Sequence, residues 1–137
     1  MNIGYSGTVR EGVAKTVGRY VAIVDTYFAH KMTTVFPLVH PLQTAGVVAV
    51  LVSRFKDDRI FLRGRLLTKL LSLLFSLIYR VHIDDLIPVC VAYEGNLIRR
   101  VARESVKGHF LINTLHYIMR KRLSLKELPA QSLLDLR

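Results

Sequence analysis

The sequence predicts an α+β domain, with three or four helices packed on a small antiparallel sheet or hairpin; an all-α fold is the alternative. Three observations lead there. Two short, continuous apolar runs rich in β-branched residues, 46–55 (GVVAVLVSRF) and 86–93 (LIPVCVAY), have the pattern of buried strands. Four other segments repeat apolar residues at helical spacing. The chain has 137 residues, 51% of them hydrophobic, enough for one domain with its own core and too apolar for global disorder. No repeat, low-complexity tract or linker divides 1–137, which reads as a single domain.

Each element has its own signal. Through 8–27, Val9, Val13, Val17, Tyr20, Val21, Val24 and Phe28 recur at threes and fours, and Thr8 with Glu11 forms a capping-box pattern. Gly12 and Gly18 oppose a helix interior and YVAIV is strand-like, so the segment is expected to pass from helix to extended chain. Pro37 and Pro41 make 33–44 a loop. Lys56-Asp57-Asp58 suits a tight turn that returns 59–63 as the second strand of a hairpin. Segment 65–80 is the clearest helix, with Arg65, Lys69, Ser72, Ser76 and Arg80 in a narrow polar stripe and leucines, Phe75 and Ile78 elsewhere. Asp84 and Asp85 precede the second strand run, which Pro88 restricts to a sheet edge or to the strand's start. Asn96 caps a helix running to Lys107 and stopped by Gly108, with Leu97, Ile98, Val101 and Ala102 on its core side. Phe110, Leu111, Leu115, Ile118 and Met119 form the core face of a helix over 110–123, which ends in Arg120-Lys121-Arg122. Ser124 and Glu127 repeat the capping-box pattern, and Pro129 keeps that last segment short.

Charge and hydropathy point to function. The net charge is +10, yet the mean hydropathy is positive, at +0.32. Arginines outnumber lysines by 13 to 7, and the guanidinium fork suits phosphate groups. Residues 51–82 hold seven bases against two acids, the densest positive stretch, and are also the most apolar. The expectation is a non-enzymatic basic accessory or structural protein that binds anionic membrane surfaces, compatible with a small viral matrix-like protein. Its membrane-contact residues are Arg63, Arg65, Leu66, Lys69, Leu70, Leu73, Leu74 and Leu77, a cationic flank beside a wide apolar face. The alternative is an RNA- or DNA-binding protein that tracks phosphates with Arg99, Arg100, Arg103, Lys107, Arg120, Lys121 and Arg122. A third reading is a homo-oligomer or a subunit of a larger assembly, with another chain covering the leucine face.

No motif argues for catalysis. One cysteine, Cys90, allows no internal disulfide and reads as a small buried hydrophobe. His30, His40, His82, His109 and His116 lack metal-ligand spacing, although His109 and His116 share a helix face. Gly4-Tyr5-Ser6-Gly7 lacks the last glycine of a nucleophile elbow, and there is no phosphate-cradling glycine loop. No metal, cofactor or small-molecule substrate is expected. The N-terminus has no charged region leading into an apolar stretch, so the expectation is an intracellular protein, membrane-associated and not secreted; its acid-poor start leaves a mitochondrial presequence open. Ile87-Pro88-Val89-Cys90-Val91-Ala92-Tyr93-Glu94 resembles the IPxxxxYE segment of glycerol-phosphate acyltransferases over eight residues. That family's catalytic HxxxxD is absent, so the resemblance carries no activity or site to this chain.

Overall fold

The structure, a computed structural model, describes residues 4–24, 35–53, 65–84, 88, 90–105 and 107–129. Its centre is the pair of apolar runs. β2 (Val47–Ser53) and β3 (Cys90–Glu94) lie antiparallel, with Ala49 opposite Tyr93 and Val52 opposite Cys90. β1 (Tyr20–Val24) pairs antiparallel with the other side of β3. β4 (Ser124–Pro129) pairs with the other side of β2, and this pairing is parallel. The order is β1-β3-β2-β4, so the sheet is mixed. The two apolar runs are its inner strands, which is why neither alternates with polar residues. Pro88 stands before β3, where its missing N–H costs no ladder bond.

Both faces of the sheet are covered. On one, Val21, Ala49, Leu51, Val91 and Tyr93 meet α1 (Gly4–Ala14), α4 (Gly95–Glu104) and α5 (Phe110–Arg120). On the other, Val50, Val52, Cys90 and Ala92 meet Leu38 and Leu42 of α2 (Phe36–Leu42). The remaining described helix, α3 (Arg65–Tyr79), packs at the margin through Phe75 and Tyr79. The fold is thus α+β, with five helices among the described residues.

Several local expectations fail for identifiable reasons. Segment 33–44 is not a loop: 36–42 is helical, because Pro37 sits in the first turn, where no N–H donor is needed, and Leu38 and Leu42 have a sheet face to bury. The Thr8 capping box does not form. The helix begins at Gly4, and the Thr8 hydroxyl donates instead to Gly4 O at 2.9 Å. Asn96 does not cap α4. Glu94 does, its carboxylate accepting from the Asn96 and Leu97 N–H groups at 3.2 and 2.8 Å. That helix stops at Glu104, before Lys107. Ser124 and Glu127 start no helix, since SLKELP satisfies its backbone against the open side of β2. The turn at 56–58 and the strand at 59–63 lie outside the described residues. The passage from helix to extended chain within 8–27 is observed, from α1 into β1.

Two connections fix the helices. β3 runs into α4 without a loop, and Gly95 N donates to Arg19 O at 2.7 Å. A Cβ at Gly95 would run into the backbone carbonyls of Gly18 and Arg19, neither of which can swing aside. α1 caps its neighbours from a distance. The Ser6 hydroxyl accepts from Phe110 N at 2.5 Å, and Arg10 Nη1 donates to Ser105 O at 3.1 Å beyond the end of α4.

The Tyr93 ring is fully buried, and its hydroxyl has no hydrogen-bond partner among the described residues. Burial, with a smaller contribution from nearby Tyr5, pushes its phenol well above the ordinary tyrosine value. Two outcomes are expected in chemical denaturation. Gly95→Ala lowers stability by about 1–3 kcal/mol through the backbone clash. Tyr93→Phe raises it by about 1 kcal/mol by removing an unpaired hydroxyl. Because the unfolded chain releases the tyrosine proton near pH 10 while the buried phenol keeps it, Tyr93 makes stability fall as pH rises past about 10. Tyr93→Phe reduces that fall.

Candidate functional site

α3 is amphipathic in the reverse sense to a core helix. Its inward side carries Ser72, 2% exposed, with Thr68, Phe75, Ser76 and Tyr79 partly covered. The Ser76 hydroxyl accepts from Ile83 N at 3.0 Å and lies 3.3 Å from Ile83 O. The Tyr79 hydroxyl bonds His116 Nδ1, and Tyr79 meets that ring edge-on. Phe75 stacks on Tyr79 at 4.5 Å.

The opposite side is apolar and open. Leu66, Leu67, Leu70, Leu71, Leu73, Leu74, Leu77 and Ile78 are all exposed, Leu66 by 83% and Leu77 by 76%. At about 100° per residue they cover roughly 160° of the circumference. Lys69 is exposed beside this face, and Arg80 is exposed just past the helix end. Arg65 is the first residue of α3, and Arg63 lies outside the described residues. Exposed leucines in such a run are unusual on a monomer's surface.

The second group of sequence-predicted residues separates into two roles. Arg99 is engaged by the fold: its Nη1 donates to Gly18 O at 2.9 Å, and its Nη2 to Asn96 Oδ1 at 3.0 Å. Arg100, Arg103, Lys107, Arg120, Lys121 and Arg122 are exposed, and none forms an ion pair with a described carboxylate. Arg100, Arg120 and Lys121 gather around Tyr117 and Glu104 at the junction of α4 and α5. Of the histidines, His109 immediately precedes α5 and His116 is held by Tyr79. Cys90 and Tyr93 are buried and Glu94 serves as a helix cap, so the described part of the acyltransferase-like segment works within the fold.

Sequence reasoning did not foresee how α3 and α5 end. Arg80 and Arg122 have left-handed backbone, with φ of 54° and 53°. Each stands where glycine usually closes a helix. Val81 N bonds Ser76 O at 3.1 Å, and Leu123 N bonds Ile118 O at 3.0 Å, the six-residue closure of a Schellman turn in both cases. A left-handed non-glycine residue costs about 1–2 kcal/mol. Clusters of basic residues at helix ends are legible in a sequence, but the sign of φ is not.

Among the described residues no helix is long and apolar enough to cross a membrane. Compared with known proteins, the chain matches no family model, and no curated protein or solved structure matches it significantly.

Glycine relieves the left-handed strain but adds about 0.5–1 kcal/mol of unfolded-state entropy. Arg80→Gly and Arg122→Gly are therefore each expected to stabilise the fold by about 0.5–1 kcal/mol, read as a rise of a few degrees in the thermal midpoint. A drop in midpoint for both variants would contradict the strain assignment.

Proposed function

We propose that this is a non-enzymatic peripheral protein that docks on anionic membrane surfaces by laying α3 in the interface. The observation that carries the reading is the outward leucine face: eight large apolar side chains exposed on one 15-residue helix. Such a helix is about 22 Å long, short of a hydrocarbon core of about 30 Å, so its natural position is along the interface. Full burial of one leucine contributes about 1.5–3 kcal/mol, against about 1 kcal/mol for one cation near the surface. Side chain for side chain, the apolar face supplies the larger share. The +10 charge supplies the preference for anionic lipid and the approach.

A second reading rests on a separate observation. Arg100, Arg120 and Lys121 surround Tyr117, three cations against the one carboxylate of Glu104 beside an aromatic ring, which is the chemistry of a nucleic-acid phosphate contact. Its signature is a steep loss of affinity with salt.

The test is sedimentation with phosphatidylcholine vesicles, with and without phosphatidylserine, across a salt series and beside an RNA gel shift. Wild-type protein is expected to pellet with the anionic vesicles and to remain partly bound in 0.5 M salt, because the apolar contribution is not screened. Leu70→Glu/Leu74→Glu, at the centre of the face, is expected to lose at least 100-fold in partitioning with an unchanged unfolding midpoint. Equal pelleting of that variant, or RNA binding with no vesicle binding, overturns the membrane reading. So does a stable dimer that the double variant dissociates while vesicles stay unbound.

A further inference from the structure

The two Schellman arginines share one groove. It opens between the end of α3 and the connection from α5 to β4, has a volume of about 710 Å³, and is lined by Ile78, Arg80, Val81, Arg122, Leu123 and Leu125 among others. That volume is in the range of ligand pockets. No carboxylate lines it among the described residues, and neither guanidinium has a hydrogen-bond partner there. Both arginines line the groove, which therefore concentrates positive charge that an anion would neutralise. Each also holds strained backbone where glycine would be unstrained, and strain retained at a cleft points to use. The remaining walls are mixed, with Ile78, Val81, Leu123 and Leu125 beside Tyr79 and Ser124. Ile78 belongs both to this groove and to the open leucine face, so the two surfaces are continuous.

We propose that this groove binds one anionic phospholipid, with Arg80 and Arg122 on the phosphate and Ile78, Val81, Leu123 and Leu125 along the first carbons of an acyl chain. The proposal rests on the membrane reading and deepens it: the leucine face inserts, and the groove selects the headgroup. The helix C-termini beneath the arginines bring carbonyl dipoles that disfavour an anion. The guanidinium groups stand at the ends of long side chains, which lets a phosphate be held away from those carbonyls, by paired N–H donors. A lipid phosphate fits the groove better than a carboxylated peptide, because the groove continues through Ile78 into the exposed leucine face.

The experiment titrates full-length protein with monomeric dihexanoyl phosphatidic acid, and separately with inorganic phosphate, followed by amide chemical shifts. The short-chain lipid is expected to shift Ile78, Arg80, Val81, Arg122, Leu123 and Leu125. Inorganic phosphate, lacking the chains, binds at least tenfold more weakly. Arg80→Gly/Arg122→Gly, which leaves the backbone relaxed and the fold intact, loses at least tenfold in lipid affinity and loses the preference for anionic over neutral vesicles. Leu70→Glu/Leu74→Glu abolishes vesicle binding but leaves the short-chain titration unchanged. Equal affinity for inorganic phosphate, full lipid affinity in the glycine variant, or shifts confined to Arg100, Arg120 and Lys121 overturns the groove assignment. Failure of the wild type to bind vesicles, with the short-chain lipid still in the groove, removes the membrane reading and leaves the groove standing.

Discussion

β2 and β3 impose the constraint that organises this molecule. Both are apolar along nearly their whole length, and both are inner strands, so both sheet faces must be covered. The short α2 covers one face with Leu38 and Leu42. α1, α4 and α5 cover the other, and the α5 side chains Phe110, Leu111, Leu115, Ile118 and Met119 fill the space above Ala49, Leu51 and Tyr93. Once those helices are seated, the described sheet has no face left for α3. That helix, with the largest leucine content, is accordingly held at the margin by Ser76, Phe75 and Tyr79 while its leucines face outward.

This arrangement reverses the usual logic of an amphipathic helix. A core helix gains its stability by hiding its apolar stripe. α3 instead turns Ser72 and Ser76 inward, while Lys69 and Arg80 of the same polar stripe stay exposed. Ser72 is engaged within the fold, and the half-buried hydroxyl of Ser76 takes the Ile83 N–H, a donor that would otherwise be costly to bury. In isolation the fold therefore gives up the burial of eight apolar side chains, and recovers it only against another apolar phase. A lipid interface is one such phase. In the membrane reading, the exposed cations at Lys69, Arg80 and Arg122 favour an anionic version of it.

The sequence displayed the amphipathicity of 65–80 but not its orientation, since periodicity defines two sides of a helix without saying which meets the body. The elements read well from sequence were those where local pattern and tertiary demand agree: the inner strands, and the core sides of α4 and α5. The rest failed where the two diverge. Pro37 and Pro41 resemble loop residues until a sheet face rewards Leu38 and Leu42 for turning helical. Ser124 to Glu127 has capping spacing, yet the open edge of β2 offers a whole ladder of backbone bonds against one capped turn. Thr8 and Asn96 lost their capping roles to a helix begun earlier and to Glu94. Of the basic residues, composition could not separate Arg99, which ties α4 to the turn before β1, from Arg100 beside it, which faces solvent.

The groove at the end of α3 lies beyond the reach of pattern altogether. Arg80 and Arg122 are 42 positions apart in sequence and come to one groove only through the fold. A sequence optimised for stability alone would place glycine at both turns, for the reason that closes so many helices with it. Arginine at one such turn is unremarkable. Arginine at both, lining a single groove without a carboxylate among the described residues, puts left-handed backbone and two positive charges in one place. In the groove proposal a phosphate held by both guanidinium groups gives that arrangement a use, and because Ile78 belongs to both surfaces, the ligand comes from the phase proposed to cover the leucines.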